Sequence, residues 1–93
     1  MANNLFISYD LLRSGQDYSG VERVIRSLGP AARVNLSLWY VNSSSSAEEA
    51  AKVVRRVLDS NDRLMVVNAS NNSCSYYNNL PGADEVLQRE WNK

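Results

Sequence analysis

Apolar and polar side chains alternate near the start of the chain, as they do in a β-strand. The alternation predicts a strand over Leu5–Asp10. Its first face carries Leu5, Ile7 and Tyr9. Phe6 and Ser8 lie on the other face, and Asp10 stands where the strand ends.

Two later stretches have the apolar spacing of an amphipathic helix, at i, i+3 and i+4. The first stripe consists of Val21, Val24, Ile25 and Leu28. Gly29–Pro30 ends this helix, because glycine accepts a left-handed cap and proline cannot continue the hydrogen-bond ladder. The second stripe consists of Ala50, Val53, Val54, Val57 and Leu58. Ser46 and Glu49 form a capping box at its start, in which each side chain satisfies a free backbone N–H.

Two further runs have the composition of strands, and a polar tail follows them. Arg33–Val41 alternates but exceeds the usual strand length of about 5–6 residues, so it either bends or splits in two. Leu64–Val67 is a short apolar run typical of a strand buried on both faces. Asn68–Asn79 is rich in Asn and Ser, which indicates a loop with or without a short edge strand. Ala83–Trp91 predicts a closing helix.

These elements predict an α+β fold with both amphipathic helices on one face of an open sheet. If the Arg33–Val41 run is a hairpin, the order becomes β-α-β-β-α-β, the ferredoxin-like sandwich with an antiparallel sheet. We expect this core over residues 1–70. Residues 71–93 are then an extension made of the Asn/Ser-rich loop and the C-terminal helix.

The sheet face without helices is expected to be apolar and to need a partner. Candidates for this face and for a dimer interface are Phe6, Trp39, Met65, Val67, Tyr76 and Tyr77. Such a surface is too apolar to leave in water. A chain of 93 residues also buries only about 60–65% of its unfolded surface, so its core is marginal. Both arguments predict a sheet-to-sheet homodimer.

Composition excludes several kinds of chemistry. The chain has no histidine, which rules out Ser–His or Cys–His couples and histidine-bridged zinc within it. Its single Cys74 forms neither an internal disulfide nor a CxxC metal clip, so nothing indicates an oxidising compartment. No stretch approaches the roughly 20 apolar residues that span a bilayer, and the first ten residues lack a signal-peptide pattern. We therefore expect a cytoplasmic protein without a membrane partner.

The charges are balanced, with ten basic and ten acidic residues, so general adhesion to RNA or DNA is not predicted. Any nucleic-acid contact must come from a local patch. Arginine suits it, because its planar fork binds phosphate through two hydrogen bonds. The candidates are Arg13, Arg23, Arg26 and Arg33. The alternative is a solvated helix face beside Glu22.

Asp10 is the position of greatest chemical interest. A carboxylate at a strand end is a hard oxygen ligand suited to Mg²⁺ or Mn²⁺. One carboxylate is too few for a metal site, but a two-fold dimer would bring two together, and Ser8, Tyr9 and Ser37 are candidates to surround them. A cation held there polarises a phosphodiester and activates water. The alternative is that Asp10 only ends the strand or binds the amides of the next loop.

Two strand motifs point to a known family. Leu5–Asp10 resembles the opening strand of the small CRISPR-associated adaptation nuclease, the Cas-two protein, which begins with apolar residues and ends in Tyr-Asp. Arg33–Trp39 resembles that family's second strand, usually Arg-Val-Gln-Tyr-Ser-Val-Phe. The likeness covers Asn4–Ser70 and extends to the VapD-like ribonucleases, which share the fold.

The resemblance implies a ferredoxin-like homodimer with facing sheets. Active members use the first-strand aspartate of each chain, here Asp10, to hold a divalent metal for phosphodiester cleavage. Other members are non-catalytic scaffolds between copies of the adaptation integrase, with basic side chains on the DNA backbone. The C-terminal segment of the family often adds a strand to the partner's sheet, a part that Ser73–Leu80 would play here.

Three hypotheses follow. The first is a metal-dependent endonuclease acting on RNA or DNA through paired Asp10 carboxylates. The second is a non-catalytic dimeric scaffold or assembly module of a CRISPR-like or phage-related system, which the neutral charge and the Asn/Ser-rich tail favour. The third is a small-ligand regulatory domain of the ferredoxin-like class, although the first strand–helix junction carries only Gly15 where such domains have a glycine-rich turn.

Overall fold

Five strands and three helices make up the part of the chain that the computed structural model describes, residues 2–11 and 18–91. In chain order they are β1 (Asn3–Asp10), α1 (Tyr18–Ser27), β2 (Ala31–Asn35), β3 (Leu38–Ser43), α2 (Ala47–Arg55), β4 (Arg63–Asn68), β5 (Ser73–Tyr77) and α3 (Ala83–Glu90). No helix in these ranges is long and apolar enough to cross a bilayer.

The five strands form one sheet in the order β2-β3-β1-β4-β5, and every neighbouring pair is antiparallel. The first strand along the chain therefore lies at the centre. Ile7 illustrates the register, since it lies opposite Trp39 on one side and Val66 on the other. The predicted α+β class and the antiparallel sheet are confirmed.

One face of the sheet packs against α1 and α2 and forms the core. The fully buried side chains include Leu5, Ile7, Val21, Ile25, Trp39, Val41, Ala50, Val54, Leu64 and Val66. The capping box at the start of α2 is confirmed, because Glu49 N–H donates to Ser46 Oγ at 3.0 Å and Ser46 N–H donates to Glu49 Oε1 at 2.8 Å. Val57, predicted to belong to the buried stripe, lies beyond the end of α2 and is largely exposed.

The Arg33–Val41 run splits into two strands. Leu36 and Ser37 form the turn between β2 and β3, and Leu36 is 84% exposed there. A bulge between Arg33 and Asn35 interrupts the pairing of the two strands. The predicted alternation is therefore broken at the turn.

The placement of Trp39 on the helix-free face is wrong. Trp39 lies opposite Ile7 rather than Phe6, so it belongs to the core and is 1% exposed. Tyr40, the register partner of Phe6, occupies the helix-free face where Trp39 was expected. The alternation of the strand was correct, but alternation alone does not say which of the two faces meets the helices.

We call the sheet face opposite α1 and α2 the second face. Its half-buried side chains are Phe6, Leu38, Tyr40, Met65, Val67, Cys74 and Tyr76. The structure places Phe6, Met65, Val67 and Tyr76 there, as expected from the sequence. The aromatic rings of Phe6 and Tyr40 pack against each other with centroids 5.6 Å apart.

The Asn/Ser-rich segment contains a strand as well as turns. Its strand, β5, pairs with β4 of the same chain. The resemblance implied instead that Ser73–Leu80 adds a strand to the sheet of a partner chain. After β5 the chain turns back into α3, which begins after Gly82 in a left-handed conformation. Two hydrogen bonds hold α3 beside β5. Trp91 Nε1 donates to the Asn72 carbonyl at 3.0 Å, and Gln88 Nε2 donates to the Tyr76 hydroxyl at 3.4 Å.

Candidate functional site

Asp10 is the last residue of the central strand and is exposed on the second face. Its register partner across the strand pair is Arg63, the first residue of β4. Within residues 2–11 and 18–91 the Asp10 carboxylate forms no hydrogen bond or ion pair. A carboxylate that is exposed at the end of the central strand and has no partner among these residues is accessible to a ligand, which keeps Asp10 the leading site residue.

Asp10 borders two cavities. We call the first, of about 550 Å³, the α3 cavity, because α3 forms one of its walls. It is lined by Ser8, Tyr9, Asp10, Arg63, Leu64, Met65, Asn79, Leu80, Ala83, Val86 and Leu87. The second cavity, of about 450 Å³, lies towards the β2–β3 turn. It is lined by Tyr9, Asp10, Leu11, Tyr18, Arg33, Leu36 and Ser37.

The three residues predicted to surround Asp10 have different positions. Ser8 lies on the second face and borders the α3 cavity together with Asp10. Ser37 borders the other cavity, and its carbonyl accepts a hydrogen bond from Tyr9 N–H at 3.2 Å. Tyr9 is 2% exposed and alternates with Asp10, so its ring lies on the core face of the sheet. The strand thus sends the Tyr9 ring away from the carboxylate that it was predicted to support.

The donor set of one chain does not fit a metal ion at this position. The described residues contain no group of three or more Cys, Asp or Glu placed to hold a metal. At the end of β1 the described residues offer the single carboxylate of Asp10, and a divalent cation of the Mg²⁺ type takes oxygen ligands from several groups. A metal site at Asp10 therefore needs ligands besides those that residues 2–11 and 18–91 of one chain supply.

The candidate arginines are only partly brought together. Arg26 and Arg33 both lie over the Trp39 ring, at 4.8 and 6.0 Å from its centroid, and stack on it as cations on an aromatic face. Arg33 is further bound to the Leu36 carbonyl at 2.7 Å and to Glu22 at 3.4 Å. Arg23 is exposed on α1.

Two consequences follow for the predicted phosphate contacts. Arg33 is occupied by groups of its own chain, as the alternative of a charged helix face beside Glu22 predicted. Arg23 and Arg26 retain exposed positions from which they can reach a phosphate. Arg13 lies outside the described residues.

The two adjacent tyrosines lie on opposite faces of β5. Tyr76 is the register partner of Met65 and belongs to the second face. Tyr77 pairs with Leu64 on the core face, so its assignment to a dimer interface across the second face is wrong. Its hydroxyl donates to the Ser60 carbonyl at 2.8 Å, and Arg55 lies 3.9 Å from its ring centroid. Alternation along a strand places neighbouring side chains on opposite faces, and the short edge strand that the Asn/Ser-rich segment left open is β5.

Two further residues of the second face bear on chemistry. Burial raises the pKa of the Cys74 thiol, which lowers its thiolate fraction at neutral pH. Arg63 borders the α3 cavity, and its Nε is buried without a partner among the described residues. Sequence reasoning missed Arg63, although its place directly before a buried strand marks it as a strand-end residue like Asp10.

No model of a known protein family matches the chain, and no solved structure matches its fold. The residues and the geometry above therefore carry the functional argument.

Proposed function

We propose that this chain is a cytoplasmic homodimer of the Cas-two and VapD-like type that acts on RNA or DNA and belongs to a CRISPR-like or phage-related defence system. In this proposal the two chains meet across the second face, and the two copies of Asp10 hold Mg²⁺ or Mn²⁺ between them. The observation that carries it is that the exposed Asp10 carboxylate and the apolar second face lie on the same side of the sheet.

The order of the elements supports a ferredoxin-like core for this proposal. The first six elements run β-α-β-β-α-β, and their strands lie in the order β2-β3-β1-β4 with α1 and α2 over one face. We interpret β5 as a fifth strand added at the edge of that core. This interpretation extends the expected arrangement by one strand and one helix.

The apolar character of the second face supports the dimer. Phe6, Leu38, Tyr40 and Val67 remain partly exposed on it, next to one another by register. Adjacent apolar side chains on a sheet face are stabilised when a second copy covers them. A two-fold axis through this face relates like residues, so each chain contributes the same patch.

The metal chemistry requires both chains. Two carboxylates from two copies of Asp10 supply hard oxygen ligands, with waters completing the shell. A divalent cation held by the two copies of Asp10 would polarise a phosphodiester and would lower the pKa of a bound water. Since α3 borders the cavity beside Asp10, the two carboxylates approach each other only if α3 leaves room between the sheets.

The test is metal-dependent cleavage of RNA and DNA by the wild type and by Asp10→Ala. We expect Mg²⁺- or Mn²⁺-dependent cleavage that falls at least a hundredfold in Asp10→Ala, because the ligand pair is lost. Glu85→Ala, which removes an exposed carboxylate from α3, is the matched control and should cleave like the wild type. Equal cleavage by all three proteins, or none by any, would remove the nuclease proposal.

A second proposal is a non-catalytic dimeric scaffold, with the adaptation integrase as its protein partner and Arg23 and Arg26 against the nucleic-acid backbone. Two observations favour it. One chain supplies a single carboxylate, and α3 stands beside that carboxylate. The same proteins distinguish the two proposals, because a scaffold forms the dimer and binds an oligonucleotide equally well with and without Asp10.

A further inference from the structure

The α3 cavity combines an apolar wall with two opposite charges. Met65 on β4 and Val86 and Leu87 on α3 line its apolar side. Asp10 and Arg63 line its polar side. The volume of about 550 Å³ lies within the range of roughly 300–1,000 Å³ that small-molecule sites occupy.

The two charges are fixed beside each other by the sheet. Asp10 and Arg63 are register partners of the antiparallel β1–β4 pair, and both side chains lie on the second face. Arg63 Nε is buried, and among the described residues it has no hydrogen-bond partner. A buried guanidinium nitrogen without a partner is unfavourable, and a ligand acceptor placed in the cavity would relieve that cost.

We propose that the α3 cavity binds a small zwitterion with a bulky apolar body, of the chemistry of an aromatic amino acid. The carboxylate of the ligand binds the Arg63 guanidinium, and its ammonium group binds the Asp10 carboxylate. The apolar body packs between Met65 and the side of α3 formed by Val86 and Leu87.

The charge pattern selects this class of ligand over singly charged molecules. An anionic amphiphile satisfies Arg63 but takes water from the exposed Asp10 carboxylate without giving it a partner, and a cationic one satisfies Asp10 but leaves Arg63 Nε without an acceptor. Each unpaired buried group costs binding free energy, so only a ligand with both charges satisfies both residues. The site carries no net charge, as a neutral zwitterion requires.

This inference goes beyond the proposed function and does not depend on it. Neither a metal ion nor a second chain takes part in the site. The binding experiment is therefore run in EDTA, so that its failure leaves the nuclease proposal untouched and its success does not support it.

The probe is L-tryptophan, and binding is followed by the backbone amide spectrum of ¹⁵N-labelled full-length protein. Indole-3-propionate, which lacks the ammonium group, and tryptamine, which lacks the carboxylate, are the matched probes. We expect L-tryptophan to shift the amides of residues 8–10 and 83–87. Its Kd should be at least about tenfold below that of either analogue, as the loss of one charged hydrogen bond predicts.

Two variants assign the contacts. Arg63→Met should weaken L-tryptophan and indole-3-propionate about tenfold, because both carry a carboxylate, and should leave tryptamine binding no weaker than in the wild type. Arg56→Met, at the exposed end of α2, is the control and should bind all three like the wild type. Val86→Asp should weaken every probe. Val86 is 49% exposed, so this change leaves the core intact, and an unchanged amide spectrum elsewhere verifies the fold.

Three outcomes overturn the inference. The first is no amide shift with any probe, and the second is shifts confined to residues outside the α3 cavity. The third is equal affinity for the three probes, which shows an apolar groove without charge recognition.

Discussion

The exposure of each strand side chain in this protein depends on which face of the sheet it occupies. Asp10 and Tyr9 are adjacent in sequence, yet the Asp10 carboxylate is exposed on the second face while the Tyr9 ring is buried in the core. Trp39 and Tyr40 are separated in the same way. A prediction about any of these residues therefore begins with its register.

Tyr9 gives a test at this scale. Its hydroxyl is buried, and the described residues offer it no hydrogen-bond partner. Tyr9→Phe removes a group that folding desolvates without compensation, so the free energy of unfolding should stay the same or rise by up to about 1 kcal/mol. Urea unfolding monitored by circular dichroism measures this change.

Tyr77→Phe is the matched variant for that experiment. The Tyr77 hydroxyl donates to the Ser60 carbonyl at 2.8 Å, so its removal should lower the free energy of unfolding by about 0.5–1.5 kcal/mol. If Tyr9→Phe proves the more destabilising of the two, the Tyr9 hydroxyl has a partner after all, such as a buried water.

At the scale of elements, the start of α2 makes a pH-dependent contribution to stability. The backbone N–H of Ser46, and after it the Ser46 hydroxyl, lowers the pKa of Glu49 below its ordinary value. A carboxyl group whose pKa is lower in the folded chain stabilises the fold above its unfolded pKa. This contribution is lost as the pH falls through the folded pKa.

Glu49→Gln should therefore lower the Tm at neutral pH and leave it unchanged in strong acid. Glu48→Gln, which removes a neighbouring exposed carboxylate that pairs with Lys52, is the control. Ser46→Ala removes the other half of the capping box and should cost about 1 kcal/mol at neutral pH. Thermal unfolding across the pH range measures these changes in Tm. If the Tm of the two glutamine variants depends on pH in the same way, the predicted contribution of Glu49 is contradicted.

The capping box also shows which elements the sequence could predict. Ser46 and Glu49 are three residues apart, so a local rule is enough to place the start of α2. β5 follows no such rule, because a polar Asn/Ser-rich segment becomes a strand only by pairing with β4. Asp10 was predicted from its strand end. Its neighbours in the α3 cavity, Arg63 and Val86, required the tertiary placement of β4 and α3.

At the scale of the whole molecule, the second face is the contact that we propose between two chains. If two chains meet there, the Tm rises with protein concentration, because association stabilises the folded chain by mass action. Phe6→Asp places a charge at the centre of that face and should give a monomer whose Tm does not depend on concentration. Sedimentation velocity and thermal unfolding across a concentration series measure both effects.

Val34→Asp is the control for that experiment. Val34 is an exposed apolar residue on the edge strand β2, two strands away from Phe6 on the central strand. Its variant should assemble like the wild type. A wild type that sediments as a monomer at every concentration, or a Val34→Asp protein as impaired as Phe6→Asp, would place the contact elsewhere or remove it.

The weak attachment of α3 has a consequence for how molecules enter the protein. Because α3 has no buried residue, its detachment exposes little apolar surface and costs a small part of the global free energy of unfolding. We therefore expect α3 to detach from the sheet more often than the whole chain unfolds. Detachment of α3 would widen the route by which a molecule reaches the end of β1 without any change in the sheet. A molecule bound there would in turn hold α3 against the sheet.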